Sequence, residues 1–243
     1  MKKFFLIALS AIMGTGLASA QDSGCLTLFP TVSGAQLVTK SYDASNNLLS
    51  TTTYTVGDAY QNYYADNAEI GYTTVDAMGN VIEQGTMETS CQDDNFYMKS
   101  VNRASLGSIQ SMIPQNIEFI GNFLDYPNTF ATSAPYDQTF EMDGGEFKIQ
   151  DKNDKKEFMR VRVYNRRYEK NEKVETPVQP FNAAKVTYAV DVYDSNTEKT
   201  TTYKGIEWYS YKAGIVRSEV YDENDNLAGY SVLSSISDDY YNN

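Results

Sequence analysis

The stretch from Ile206 to Ile236 restricts the fold more than any other part of the chain. Two runs rich in aromatic and β-branched residues, Ile206 to Tyr211 and Ile215 to Tyr221, flank the short turn Lys212-Ala213-Gly214. A third run, Leu227 to Ile236, follows the polar turn Asp222-Glu223-Asn224-Asp225-Asn226. Runs of this composition, separated by turn residues, read as three consecutive antiparallel strands. Gly214 suits the left-handed position that closes a three-residue hairpin loop.

The same turn chemistry recurs. Strand-like runs from Gln36 to Val56 lie either side of Asp43-Ala44-Ser45-Asn46-Asn47, and similar turns stand at Asp76-Ala77-Met78-Gly79-Asn80 and Asp194-Ser195-Asn196. Asp and Asn suit these places because their side chains bond the nearby backbone and tolerate left-handed conformations. Four such hairpins imply a meander of antiparallel strands, and their irregular spacing excludes a solenoid repeat. Asp143-Gly144-Gly145 marks a further hairpin turn.

Between Met98 and Ile113 the pattern changes. Val101, Ser105, Ile109 and Met112 form a helical stripe that stops at Pro114, with Gly107 weakening it. Ile117, Ile120 and Leu124 continue helical spacing beyond the proline, which allows a second short helix. The expected fold is mostly β, a curved antiparallel sheet or open barrel of long meandering strands with one short helix.

The N-terminus carries Lys2 and Lys3, an apolar run from Phe4 to Met13 and small residues ending in Ala18-Ser19-Ala20. This reads as a cleaved secretory signal over residues 1–20, too short to span a bilayer. Residues 21–243 then form a single β-rich domain, because no Pro/Gly/Ser-rich linker divides them. Cys25 lies close behind the signal, but Asp22 stands where lipid attachment wants an apolar residue. No later run is long enough to be a transmembrane segment. The expected location is the periplasm or the outside of the cell.

Cys25 and Cys91 are the only cysteines. In an oxidising compartment an even pair is most simply a disulfide, with two buried thiols as the alternative. Closing that loop of roughly 66 residues stabilises by about 4 kcal/mol in the chain-entropy model.

The formal net charge is −12, which argues against nucleic acid as a partner. The charge is uneven, since Lys148 to Lys173 holds ten basic residues against five acidic ones. Within it Phe158, Arg160, Arg162, Tyr164 and Arg166 alternate with Met159, Val161, Val163 and Asn165. Period-two alternation puts Arg160, Arg162 and Arg166 on one strand face. Arginine grips carboxylate or phosphate in bidentate pairs, so these three are the candidate ligand-binding residues. The plainer reading is pairing with acids on neighbouring strands.

The chain has no histidine, which removes Ser-His-Asp and Cys-His catalysis and His-ligated zinc together. No G-x-S-x-G, S-x-x-K or phosphate-loop pattern occurs, and no cofactor is expected. Asp222-x-Asn224-x-Asn226 imitates the start of a calcium loop, but Leu227 and Leu233 stand where that loop needs Gly and a bidentate acid. Paired-carboxylate hydrolysis is formally open to a chain with 32 acids. The 20 tyrosines suit sugar stacking or, more plainly, half-buried strands.

Pro177 to Phe181 with Ala184-Lys185-Val186, then Trp208-Tyr209 and Gly214-Ile215-Val216-Arg217-Ser218-Glu219, resemble the closing motifs of the TapB-like family. Cys25-Leu26, Phe29-Pro30, Gly34 and Tyr42-Asp43 resemble its opening motif, so the likeness covers nearly all of residues 21–243. Val178-Gln179-Pro180 departs from it, standing where that family has a small turn. The resemblance implies an exported protein of Gram-negative bacteria carrying a domain of unknown function. It also implies a shape similar to periplasmic lipoprotein carriers, whose bent sheet holds acyl chains.

The expected function is a non-catalytic binding or carrier-like protein for an apolar or amphipathic ligand lodged between sheet and helix. The alternative is a structural or adhesion component that meets a cell-envelope protein through its sheet.

Overall fold

The computed structural model describes residues 33–61, 66–92, 95–98, 117–121, 125–127, 139–210 and 213–237. Among these, the secondary structure is β throughout. The first half supplies β1 (Gln36–Asp43), β2 (Leu48–Gln61), β3 (Asp66–Asp76), β4 (Val81–Gln92), β5 (Asn95–Met98), β6 (Ile117–Gly121) and β7 (Asp125–Pro127). The second half supplies β8 (Phe140–Met142), β9 (Gly145–Asp151), β10 (Glu157–Val174), β11 (Phe181–Asp194), β12 (Lys199–Ser210), β13 (Gly214–Tyr221) and β14 (Leu227–Ile236).

All 14 strands belong to one antiparallel sheet, ordered β6-β9-β10-β11-β12-β13-β14-β1-β2-β3-β4-β5-β7, with β8 beside β10. The three strands expected between Ile206 and Ile236 are β12, β13 and β14, and Gly214 has φ +67°. The pairing of β1 with β14 ties the first strand to the last.

The Asp-led turns form as their chemistry dictates. In each of three, the leading carboxylate accepts two backbone N–H bonds: from Ser45 and Asn47 at Asp43, from Met78 and Asn80 at Asp76, and from Asn224 and Asn226 at Asp222. The fourth residue takes the left-handed conformation, at φ 63° for Asn46, 88° for Gly79 and 63° for Asp225. The side-chain amides of Asn47, Asn80 and Asn226 donate to the same carboxylates, and these bonds together with the backbone ones hold all three leading carboxyls below the ordinary carboxylate range.

The pairing registers shift repeatedly, for example twice between β10 and β11 and once each in β1–β14, β12–β13 and β2–β3. Each bulge bends a strand and increases its twist, and open sheets beyond about ten strands curl. The curl brings the two ends of the sheet together, because Val81 to Gln84 of β4 and Ile117 of β6 line one cleft.

Two apolar clusters form the core. One gathers Leu37, Val56, Val174, Phe181, Trp208, Val216 and Leu233 with their neighbours from β1, β2 and β10 to β14. The other gathers Ile117, Phe147, Ile149, Met159, Val161, Val163 and Val192 from β6, β9, β10 and β11.

Two expectations need correcting. Residues 117–121 form a strand, not part of a second helix, because Ile117 to Gly121 pair with Phe147 to Asp151 of β9 and the ladder overrides local spacing. The Asp143-Gly144-Gly145 turn is not a hairpin, since β8 and β9 do not pair with each other but follow one another along the same edge of β10. The glycine serves close approach there: a Cβ on Gly144 would stand 2.2 Å from the Val163 carbonyl oxygen. The helix expected over Met98 to Ile113 lies outside the described residues apart from Met98, which is in β5. The signal segment and Cys25 also lie outside them, so the pairing of Cys25 with Cys91 has no structural description.

Candidate functional site

The arginine row is divided by one residue. Arg160 and Arg162 lie on the wetter face of β10: Arg160 pairs with Glu157 at 3.0 Å, and Arg162 stacks its guanidinium 5.3 Å from the Tyr164 ring centroid. Arg166 does not join them, being 1% exposed. Asn165 is left-handed, at φ 52°, and the β10–β11 register shifts between Tyr164 and Arg167. This bulge inserts a residue, so Val163 and Arg166 both point inward although their spacing is three. The expectation of three arginines on one face fails for that reason.

Inside, Arg166 donates from Nη1 to the Asp143 carbonyl oxygen at 2.6 Å and lies close enough to Glu207 to favour that residue's charge. Glu207 is 7% exposed and accepts hydrogen bonds from the Tyr188 hydroxyl at 3.0 Å and from the Tyr209 hydroxyl. Burial dominates these favourable contacts and pushes its carboxyl above the ordinary range. The buried pair of Arg166 and Glu207, with the two tyrosines, knits β10, β11 and β12 together.

On the opposite face, the Glu172 carboxylate collects the Trp208 Nε1–H at 2.7 Å, Lys170 at 2.7 Å and Lys185 at 3.7 Å. A groove of about 390 Å³ beside β11 and β12 is lined by Tyr188, Ala189, Ile206 and Tyr221 and by the exposed Lys204–Asp225 pair. The Glu172 cluster is a satisfied polar surface, whereas the groove mixes apolar side chains such as Tyr188, Ala189 and Ile206 with its ion pair.

The seam between β4 and β6 differs in joining strands that stand eleventh and first in the sheet order. Its cleft has a volume of about 420 Å³ and is lined by Val81, Ile82, Glu83, Gln84, Ile117 and Lys152, which lies within the range of small-molecule sites. Of its lining residues Val81 is 56% exposed, and the strands that form it carry two further exposed hydrophobic residues nearby in sequence, Ile120 on β6 at 48% and Met78 in the turn leading into β4 at 85%. Polar groups gather at the same end. Glu118 of β6 accepts from Lys155 at 2.7 Å and from Gln150 at 2.6 Å, which holds its carboxyl below the usual range. The Tyr72 hydroxyl donates to Glu83 at 3.3 Å, and burial together with that carboxylate raises the phenol. An apolar wall with a charged end suits an amphipathic guest. Sequence reading missed this site because β4 and β6 meet only through the curl of the sheet.

No curated protein matches this chain. A crystal structure of a candidate exported protein with a YmcC-like fold from Bacteroides fragilis is 30% identical, with a TM-score of 0.77 over 86% of this chain and 98% of that one. A candidate lipoprotein from Parabacteroides distasonis, also 30% identical, gives a TM-score of 0.80 over 88% of this chain and 99% of that one. Both share the curled sheet at nearly full length. The TapB-like name suggested by the motifs is not the one these matches carry. The model of the DUF3108-like family matches residues 32–233, spanning the sheet from β1 into β14, and the chain belongs to that family.

Proposed function

We propose that this protein is a non-catalytic binding or carrier-like protein, located in the periplasm or secreted, which holds an amphipathic ligand in the cleft between β4 and β6. The observation that carries this reading is the cleft itself, apolar at Val81, Ile82 and Ile117 and charged at Glu83 and Lys152. Export is supported by the leader-like residues 1–20 and by the descriptions of the two similar structures as a candidate exported protein and a candidate lipoprotein. In this reading the ligand's place is the seam between β4 and β6.

The test has two arms. Native mass spectrometry with lipid extraction, on protein taken from its own compartment, should show a co-purifying amphiphile. Titration with the fluorescent apolar probe N-phenylnaphthylamine should saturate, and Val81→Asp should weaken it about tenfold or more, the equivalent of losing one buried valine contact. The absence of both a co-purifying molecule and saturable probe binding would overturn the proposal.

A further inference from the structure

Val81, Ile82, Glu83 and Gln84 are consecutive, and consecutive strand residues point to opposite faces of a sheet. A cleft lined by all four therefore runs along the edge of β4 and not over one of its faces. β5 covers that edge only from Thr89 to Gln92. From Val81 to Thr86, no described strand pairs with β4 on the side away from β3.

The direction of the open backbone groups follows from the registers. Gln92 and Asn95 face each other across a two-residue connection, which makes them a hydrogen-bonded pair directed toward β5. The β3–β4 register is unbroken from Gln84 to Cys91. Alternation then turns the N–H and C=O of Gln84 and Thr86 away from β3, into the cleft.

Strand direction adds a second constraint. Every neighbouring pair is antiparallel, and β6 and β4 occupy the first and eleventh places in the sheet order, so they run the same way. Pairing them directly would require a parallel ladder, whereas every ladder among the described residues is antiparallel. One additional strand, opposite in direction to both, would close the barrel with every pair antiparallel. Open edges are ordinarily blunted by charge, proline or cover; Glu83 and Glu118 supply some charge here, and Val81 and Ile120 stand exposed on the same two strands.

We infer that the ligand of this cleft is an extended polypeptide segment of a partner protein, which joins as the strand between β4 and β6. Alternating apolar and polar side chains make such a segment amphipathic, and its backbone satisfies the edge groups of Gln84 and Thr86. The inference rests on the cleft being the binding site and names the class of molecule it takes.

A pool of hexapeptides alternating a varied apolar with a varied polar residue is the probe, followed by titration of its members against the full chain. At least one member should bind saturably and slow hydrogen exchange at the Gln84 and Thr86 amides. Methylating alternate amides of that peptide, or introducing Gln84→Pro, should each weaken binding about tenfold, because each removes backbone bonds and leaves the apolar side chains in place. Gln84 is exposed and its N–H faces the open edge, where proline is tolerated. Thr86→Pro repeats the test if Gln84→Pro fails to fold. Failure of every peptide, or binding indifferent to methylation and to proline, would overturn the inference. If N-phenylnaphthylamine still binds in a Val81-dependent way, the cleft reading survives that result; if neither probe binds, both fall.

Discussion

Two stretches of one buried sheet face are built from opposite materials. In β9, β10 and β11 the face carries Phe147, Ile149, Met159, Val161, Val163 and Val192, all buried. Farther along the sheet, Val186 of that face pairs in register with Glu207, then Ser218, Ser231, Ser41 and Ser50. These serines are buried as deeply as the valines, at 2 to 9% exposure. Each row solves a different problem. The apolar row gains by removing area from water, while the hydroxyl row must find partners for what it buries. It finds them internally: Ser218 Oγ and Ser231 Oγ stand 2.6 Å apart, and beside the row Thr52 Oγ1 and Thr74 Oγ1 stand 2.9 Å apart. Side chains converge on the inside of a bend, and a serine takes less room there than a phenylalanine. Glu207, Arg166, Tyr188 and Tyr209 lie where one row gives way to the other.

The largest effect should come from the apolar row. Phe147→Ala is expected to cost about 3 to 4 kcal/mol in urea unfolding, through lost transfer energy and the cavity left behind. A loss below about 1 kcal/mol would mean that this row is no more a core than the serine row.

The junction should come next. Arg166→Met leaves Glu207 with its tyrosines but without the nearby cation, and about 3 kcal/mol of stability should be lost near neutral pH. The loss should depend on pH in a defined direction. The folded Glu207 carboxyl already lies above its ordinary value, and removing Arg166 raises it further. A raised acid destabilises the fold as pH climbs through the unfolded carboxyl range near 4.3, because the unfolded chain ionises first. The deficit of the variant should therefore shrink as pH is lowered toward 4. A deficit that does not change with pH would show that packing, and not charge, binds the junction.

The smallest effect belongs to the hydroxyl row. Ser231→Ala alone should cost about 1 kcal/mol by stranding the Ser218 hydroxyl, whereas Ser218→Ala with Ser231→Ala should cost no more than the single change. Additive losses in that double-mutant cycle would mean that the two hydroxyls do not depend on each other.

The difference between the rows also explains what could be read in advance. Strands β12 to β14 and the Asp-led turns were legible because their chemistry is local: aromatic and β-branched runs, a carboxylate that bonds the backbone two and four residues on, and a residue suited to positive φ at the fourth place. The outward position of Arg160 and Arg162 was legible from alternation. Arg166 was misplaced because alternation was counted straight through Asn165, although asparagine is a residue that enters the left-handed region readily. The serine row resembles a solvated strand, since hydroxyls at alternate positions do not reveal which face will be covered.

The chain's local chemistry thus determined the strands, most of their turns, the single-sheet class and the absence of imidazole chemistry. Tertiary structure alone decided which face is buried, where Arg166 points, and that β4 and β6 meet at a cleft. Those facts depend on bulges and on the accumulated curl of a sheet whose two ends come together only after eleven strands have paired. No window of neighbouring residues contains that sum.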